Sequence, residues 1–552
     1  MSDGREWRWP RLNPFQLIVC VAILLVLFYN RGVWKALLTL VPYEGLSTAV
    51  FYASFGVFLV AFFSLLLLLL SFRYVLKPAL MLLLLVSAGT LYFISSYGVS
   101  IDKDMIQNVF ETDMRETKAL LTPRMALYLI GLGVVPAILV WLQPVRYPTL
   151  WRGWWQRLLG MVCALVVVAA VVAPFSLTYA SIFRQEDKLT HFINPTNVVY
   201  GTSKYIKTVL GIKKVHAIIP IGLDGKFGAQ ITGRPKKSLV ILVVGETARA
   251  DHFSLNGYGR NTNPELQKQD ILNYGDVSSC GTATAVSVPC MFSRFNREDY
   301  GDKKGKTTEN VLDILQRAGL NVFWRTNNSG DCKGVCARIP YEDMSRSENP
   351  ALCKDGECLD EILLESLQSY VDKQIGDALV VFHSNGSHGP EYFRRYPASM
   401  ERFTPVCRTN QLGSCTNEEL VNVYDNTILY TDYFLNQVIE FLKRNSQTRD
   451  TAMLYVSDHG ESLGEDGMYL HGAPYAIAPD AQTRVPILAW FSPNAFASWG
   501  LSQDCLRQNQ SAKLTHDNVF HTLLGLFDVQ TQEYKSELDM FLPCRVAAGD
   551  RK

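Results

Sequence analysis

The chain is 552 residues long, with 53 Lys and Arg against 52 Asp and Glu and a hydrophobic share of 48%. That charge balance excludes a basic face built for nucleic acid, and the length allows roughly three or four domains. Most of the hydrophobicity lies in the first third, which excludes a uniformly soluble chain.

Five apolar runs precede residue 185, at 14–29, 47–71, 76–97, 125–142 and 158–180. A helix crossing a hydrocarbon core takes ~20 residues, so the first and fourth runs need their flanks. A cleaved signal peptide does not account for the first run, because four more follow it. Arg5, Arg8 and Arg11 precede the first run, Arg73 and Lys77 join the second to the third, and Arg146, Arg152 and Arg157 join the fourth to the fifth. Short basic connections stay in the cytoplasm, so the N-terminus is predicted inside and everything after residue 180 outside. The 98–124 connection carries Asn108, Glu111, Thr112, Asp113 and Glu116 at helix-like spacing. It reads either as a solvated interfacial helix or as a polar lip that receives a lipid head group.

The predicted organisation is a membrane domain over 1–183, a linker over 184–236 and a soluble domain over 237–552. Within the linker, 199–215 mixes Tyr205, Ile206, Val209, Leu210 and Ile212 with Lys204, Lys207, Lys213 and Lys214. That pattern suits an amphipathic helix lying on the membrane, or one packed on the soluble domain. From 238 the pattern alternates α and β. Leu239–Val244, Val322–Trp324, Leu379–Phe382, Met453–Val456 and Pro486–Trp490 read as buried parallel strands, with helices at Asn310–Arg317 and Glu418–Lys443 between them.

Ten of the twelve cysteines lie between 280 and 544. Four pairs are near neighbours, Cys280 with Cys290, Cys332 with Cys336, Cys353 with Cys358 and Cys407 with Cys415, and the remaining pair, Cys505 with Cys544, is remote. Close pairs in even number point to disulfides and an oxidising compartment. Zinc ligation by Cys332 and Cys336 is the competing reading, but no matching cysteine–histidine cluster follows. The Cys280–Cys290 loop holds Thr282, Thr284 and Ser287 among small residues. It is either a stapled turn or the seat of a hydroxyl nucleophile, which needs a fixed backbone and an uncrowded approach.

Ligands of open α/β sheets bind beyond the carboxyl ends of the strands. Glu246 stands at the exit of the first predicted strand, His383 and His388 at the third, and Asp458 and His459 at the fourth, with His471 soon after. Each alone has an ordinary explanation as a cap or a structural hydrogen-bonder. Together they form a carboxylate–imidazole set without thiolates, which suits catalytic zinc or manganese.

Four stretches, Val-Val-Gly-Glu-Thr-Ala-Arg-Ala, Cys-Gly-Thr-Ala-Thr-Ala-Val-Ser-Val-Pro-Cys, Ser-His-Gly-Pro and Ser-Asp-His-Gly-Glu-Ser, resemble the phosphoethanolamine–lipid A transferases, which include the mobile colistin-resistance enzymes. The resemblance runs over nearly the whole chain. It implies five transmembrane helices followed by an alkaline-phosphatase/sulfatase-like α/β domain, on the periplasmic side of a bacterial inner membrane. It further implies that Thr284 is the nucleophile and that Glu246, Thr284, Asp458 and His459 hold zinc. His388 and His471 would serve the phosphate or a second metal. Asn328 and Lys333 would meet the phosphoethanolamine group, and His383, Asn108, Thr112 and Glu116 would be secondary substrate positions. Cys332, inside the loop running from Asn328 to Lys333, departs from some members.

The expected reaction moves phosphoethanolamine from phosphatidylethanolamine to Thr284 and then to a phosphate of lipid A, in a monomeric protein. A core sugar or a membrane oligosaccharide is the alternative acceptor. A sulfatase is disfavoured because Ser287-Val-Pro-Cys290 lacks the arginine of the Cys/Ser-x-Pro-x-Arg pattern. A dead, scaffold-like domain is disfavoured because Glu246, Thr284, Asp458 and His459 are all present.

Overall fold

The computed structural model describes residues 10–41, 43–111, 117–118, 120–185, 187–213, 217–328, 332–354 and 356–546. Contacts divide the chain into two compact units, Met1–Lys103 with Leu121–Ser203, and Asp104–Leu120 with Lys204–Lys552. The division falls inside the predicted linker and assigns 104–120 to the second unit.

Helices before and within the linker include α1 (Pro14–Leu24), α2 (Arg31–Leu40), α3 (Leu46–Leu68), α4 (Leu76–Tyr97), α5 (Lys103–Glu111), α6 (Pro123–Leu142), α7 (Leu150–Phe183) and α8 (Thr196–Lys213). By length and composition, α3, α4, α6 and α7 can cross a membrane. The first predicted span is a broken one. Pro14–Tyr29 and Arg31–Leu38 meet at 57°, and the pair makes a fifth span if counted as one. Buried Asn30 accounts for the break, because its Nδ2 donates to the carbonyls of Leu25 (3.0 Å) and Asn194 (2.8 Å). Helix α7 starts at Leu150 rather than at 158. Arg152 and Arg157 depress the hydropathy of its first turns, yet such side chains lie along a helix at an interface without ending it.

The second unit is built on an eight-stranded sheet, comprising β1 (Lys237–Gly245), β2 (Leu272–Ser278), β3 (Asn321–Thr326), β4 (Tyr341–Asp343), β5 (Ala378–His383), β6 (Arg449–Ser457), β7 (Arg484–Phe491) and β8 (Leu514–Thr515). Their order is β8-β2-β7-β6-β1-β5-β3-β4. The run β6-β1-β5-β3-β4 is parallel. Strand β7, expected to be parallel, is antiparallel to both β2 and β6.

Alternate residues of β1 enter two cores. Leu239, Ile241 and Val243 pack with Val423, Phe434 and Leu435 of α11 (Asn417–Asn445). Val240, Leu242 and Val244 pack with Leu312 of α10 (Val311–Ala318) and Phe520 and Leu523 of α12 (Asp517–Leu526). Between β2 and α10 in sequence lies the short α9 (Thr284–Met291).

The five predicted cysteine pairs are all disulfides, and Cys20 and Cys163 are free. Three of the five bridges brace the periphery of the second unit. Cys353 and Cys358 face each other across a two-stranded hairpin of two residues a side. Cys407 and Cys415 close the loop before α11, and the Cys407 N–H donates to the Glu419 carbonyl in the first turn of that helix (3.2 Å). Cys505 and Cys544 tie the segment after β7 to the end of the described chain, where the Cys544 carbonyl accepts from the Ser502 N–H (2.9 Å).

Candidate active site

Because β6, β1, β5 and β3 are neighbours, their carboxyl ends deliver chemistry to one place. Glu246 follows Gly245, which pairs with Ser457, so Glu246 and Asp458 leave adjacent strands at equivalent positions. The main chain of Glu246 is gripped on both sides. Ser387 N–H donates to its carbonyl at 3.0 Å. Gly386 (φ +48°) approaches so closely that a Cβ there would lie 2.7 Å from Glu246 O, so this position needs glycine. The next residue, Thr247, is left-handed at φ 52°. Its N–H donates to Asp458 Oδ1 (3.1 Å) and its carbonyl accepts from the Tyr424 hydroxyl (2.7 Å), which offsets the strain of that conformation.

Thr284 is the first residue of α9, inside the loop closed by Cys280 and Cys290. Its Oγ1 lies 3.1 Å from each carboxylate oxygen of Glu246 and 3.4 Å from His459 Nε2. His459 Nδ1 bonds the Gly460 carbonyl at 2.9 Å, which requires the proton on Nδ1 and leaves the Nε2 lone pair facing Glu246 (3.4 Å) and Asp458 Oδ2 (3.3 Å). Asp458 Oδ1 accepts from the His459 N–H (2.7 Å), while buried Oδ2 has no donor among the described residues. Ligand atoms of Glu246, Asp458 and His459 thus lie within 4.8 Å of one another, all buried. Burial, with Asp458 alongside, pushes Glu246 well above the usual carboxylate range, and burial pushes Asp458 up to about 7. Two crowded carboxylates, an orphaned oxygen and an aimed lone pair fit a divalent cation.

The remaining candidates surround this cluster. The rings of His459 and His471 are 4.4 Å apart and those of His471 and His388 5.6 Å. His471 Nδ1 meets the buried Glu461 carboxylate at 3.3 Å. His388 is held neutral by burial and by Arg395, whose Nε donates to the His388 carbonyl (2.8 Å). Asn328 donates from Nδ2 to Glu246 Oε2 (2.7 Å) and to the Ser384 carbonyl, so it orients a ligand of the cluster. Lys333, left-handed at φ 51°, sits in the loop closed by Cys332 and Cys336. A cavity of about 550 Å³ opens beside it, lined also by Pro289, Ser293, Lys306 and Glu111, the last two paired at 2.8 Å. His383 is fully buried, with neither ring nitrogen hydrogen-bonded among the described residues. Burial, then the charge of Lys333, lowers it to about 3. Asn108 on α5 lies beside Gly472, the residue after His471. Thr112 and Glu116 lie outside the described residues.

The ten disulfide cysteines divide by their relation to this cluster. Cys280 and Cys290 frame the start of α9, where Thr284 lies, and Cys332 and Cys336 frame Lys333. Cys353, Cys358, Cys407, Cys415, Cys505 and Cys544 are structural staples rather than parts of the site, since their bridges fasten a hairpin, the approach to α11 and the chain's end.

Three supporting residues carry no obvious sequence signal. Buried His516 precedes α12. Its Nδ1 accepts from the Cys280 N–H (3.1 Å) and lies 3.2 Å from Ser287 Oγ, and its Nε2 donates to the Ser457 carbonyl (2.9 Å). One imidazole therefore joins the Cys280–Cys290 loop, α9 and the strand end before Asp458. Tyr424 is one aromatic among many on α11. Asp360 receives the N–H groups of Asn385 (2.8 Å) and Gly386 (3.1 Å). Glu461 could have been found from Ser-Asp-His-Gly-Glu-Ser, as a carboxylate placed to orient a histidine.

A sheet of this order, with a threonine hydroxyl set on a carboxylate–imidazole cluster at its strand ends, defines the alkaline-phosphatase/sulfatase class; a family model described as Sulfatase matches 238–529. A second, described as Phosphoethanolamine transferase EptA/EptB, matches 59–210. The chain is 40% identical to phosphoethanolamine transferase EptA of Escherichia coli K12, over 97% of this chain and 98% of the relative. It is 41% identical to phosphatidylethanolamine transferase Mcr-1 of Escherichia coli, over 97% and 98%. It superposes on the integral membrane lipooligosaccharide phosphoethanolamine transferase A of Neisseria meningitidis with a TM-score of 0.92 and 37% identity, covering 98% and 100%. The chain belongs to the EptA-type phosphoethanolamine transferase family.

Proposed function

We propose that this chain transfers phosphoethanolamine from phosphatidylethanolamine to a phosphate of lipid A, with Thr284 carrying the group between the two lipids. The observation that supports this most directly is the position of Thr284 Oγ1, 3.1 Å from both Glu246 oxygens and 3.4 Å from His459 Nε2. Glu246, Asp458 and His459, with the Thr284 oxygen, would hold zinc. When bound, zinc would lower the pKa of the Thr284 hydroxyl and offset the charge of the incoming phosphate.

In the first displacement a bond forms from Thr284 Oγ1 to phosphorus, the bond from phosphorus to the diacylglycerol oxygen breaks, and diacylglycerol leaves with the threonine proton. In the second, a phosphate oxygen of lipid A bonds to the same phosphorus, the bond from phosphorus to Thr284 Oγ1 breaks, and Thr284 Oγ1 takes up the proton that the attacking phosphate gives up. His388 and His471, whose rings are 5.6 Å apart, would donate to the phosphate oxygens, and Lys333 would add positive charge. Asn328 and Tyr424 hold Glu246 and its strand exit still, so little reorganisation is left for the reaction itself. The disulfides and the basic connections support a catalytic unit in the periplasm, anchored to the inner membrane. Loss of net negative charge from lipid A would weaken binding of cationic peptides such as polymyxin.

Relatives at lower identity suggest a second acceptor. A Kdo(2)-lipid A phosphoethanolamine 7''-transferase of Salmonella typhimurium is 29% identical over 85% of this chain. Mass spectrometry of lipopolysaccharide from cells expressing the chain, beside Thr284→Ala, separates the two. A phosphoethanolamine-sized gain on lipid A, absent with Thr284→Ala, is expected. A gain confined to the core sugars would transfer the assignment to the second acceptor, and no gain from well-expressed protein would overturn the reading.

A further inference from the structure

A cavity of about 540 Å³ lies wholly within the membrane unit, far in sequence from every candidate catalytic residue. Its walls come from the start of α1, the α3–α4 turn, the 147–149 connection and the first half of α7. One end is polar, with Arg73, Arg157 and Tyr147, and the other is apolar, with Phe15, Leu68 and Gly160. Trp151, Trp154 and Trp155 stand beside it on α7 and are exposed, as residues at a membrane interface are. The cavity is therefore amphipathic in the same sense as a phospholipid lying at that level.

The polar end has unused capacity. Arg157 spends Nε and one Nη on Ser71 (3.0 and 3.1 Å) and lies flat over the Phe72 ring at 4.0 Å. Its other Nη has no acceptor among the described residues. Among them Arg73 makes no ion pair either, and it lies 5.5 Å from the Tyr74 ring. The Tyr147 hydroxyl is buried without a partner among the described residues. Two cations and a phenol would share one phosphate well, since guanidinium groups bond phosphate oxygens directly. Among the described residues, no Asp or Glu lines the cavity. An ethanolamine or choline ammonium would thus find two positive charges and no counter-charge, whereas a glycerol head group would not be penalised.

We infer that this crevice is a binding site for one anionic phospholipid, its phosphate held by Arg73, Arg157 and Tyr147 and an acyl chain lying along Phe15, Leu68 and Gly160. It is a site for a lipid that is neither donor nor acceptor. It stands whether or not the proposed reaction is correct. Such a lipid would fix the turn between α3 and α4 against α7.

The test uses the full chain in detergent, titrated with phosphatidylglycerol or phosphatidylcholine and read by native mass spectrometry. One retained phosphatidylglycerol is expected, with phosphatidylcholine held at least tenfold more weakly. Arg73→Gln with Tyr147→Phe should weaken phosphatidylglycerol at least tenfold. Gly160→Leu should do the same from the apolar end, because a Cβ there already comes within 3.2 Å of Leu68 and 3.4 Å of Phe15. Cys163 lines the crevice and provides a readout that needs no crevice variant. In Cys20→Ser protein, saturating phosphatidylglycerol should slow its alkylation severalfold. Equal retention of the two lipids, or an alkylation rate unmoved by phosphatidylglycerol, would overturn the inference.

Discussion

Replacing His516 should damage both stability and transfer, although His516 touches no proposed ligand of the cation. His516→Ala removes hydrogen bonds from the Cys280 N–H and the Ser457 carbonyl, both buried. Leaving a buried polar group without its partner costs about 1–3 kcal/mol, so the two together should cost about 2–6 kcal/mol. In thermal unfolding of the full chain in detergent, that is a drop on the order of 5–15 °C. Transfer should fall at least tenfold, because the loop before Thr284 and the strand end before Asp458 lose their common tie. His516→Asn, whose amide can still accept from the Cys280 N–H, should recover part of both losses. Acidity supplies a second readout. Burial lowers His516 to about 4, from an ordinary value of 6.5. Between those values the unfolded chain binds a proton that the folded chain refuses, so this contribution is lost as pH falls from 6.5 through 4. The full loss is on the order of 3 kcal/mol. The stability gap between wild type and His516→Asn should therefore narrow on acidification. An alanine variant within 1 °C (roughly the noise of a thermal scan) and within about twofold in rate of wild type would refute the argument.

Asn328→Ala should lower cation affinity by ~10–100-fold, measured by chelator competition, since it removes the amide that orients Glu246; unchanged affinity would place Asn328 with substrate instead. Tyr424→Phe should cost about 1–3 kcal/mol and slow transfer, because the Thr247 carbonyl loses its buried donor; a neutral result in thermal unfolding would show that the left-handed Thr247 holds itself. Gly386→Ala should abolish transfer with the chain still folded by circular dichroism, as its Cβ would strike Glu246. Dialysis against a chelator should remove activity and added zinc should return it; recovery with magnesium alone would reassign the metal.

Much of the site was legible because apolar strands end where polar chemistry begins. Leu239–Val244 runs straight into Glu246 and Met453–Val456 into Asp458 and His459, and the sheet does place these ends side by side. Proximity along the chain was enough to pair Cys353 with Cys358 and Cys407 with Cys415, because a short loop holds its two ends together whatever the fold. Cys505 and Cys544 were paired only as the two left over. Strand direction was not legible in the same way. Pro486–Trp490 is apolar because β7 is buried on both faces, and such a run carries no sign of parallel or antiparallel pairing. Strand β2 escaped notice because Asn273, Gly275 and Asp276 interrupt any alternation. His516 was invisible for a different reason. Its value comes from contacts 59, 229 and 236 residues away along the chain, and no local pattern encodes them.

The equivalent exits of Glu246 and Asp458 from adjacent strands bear on supply as well as catalysis. A cation seated there ties the end of β1 to the end of β6, so it binds the folded chain and not the unfolded one. At a hundred times its dissociation constant such an ion adds about 2.7 kcal/mol to folding stability. Scarcity of that cation would then thin the population of intact molecules in addition to slowing each one. Cation supply and protein abundance would be coupled through two carboxylates and an imidazole.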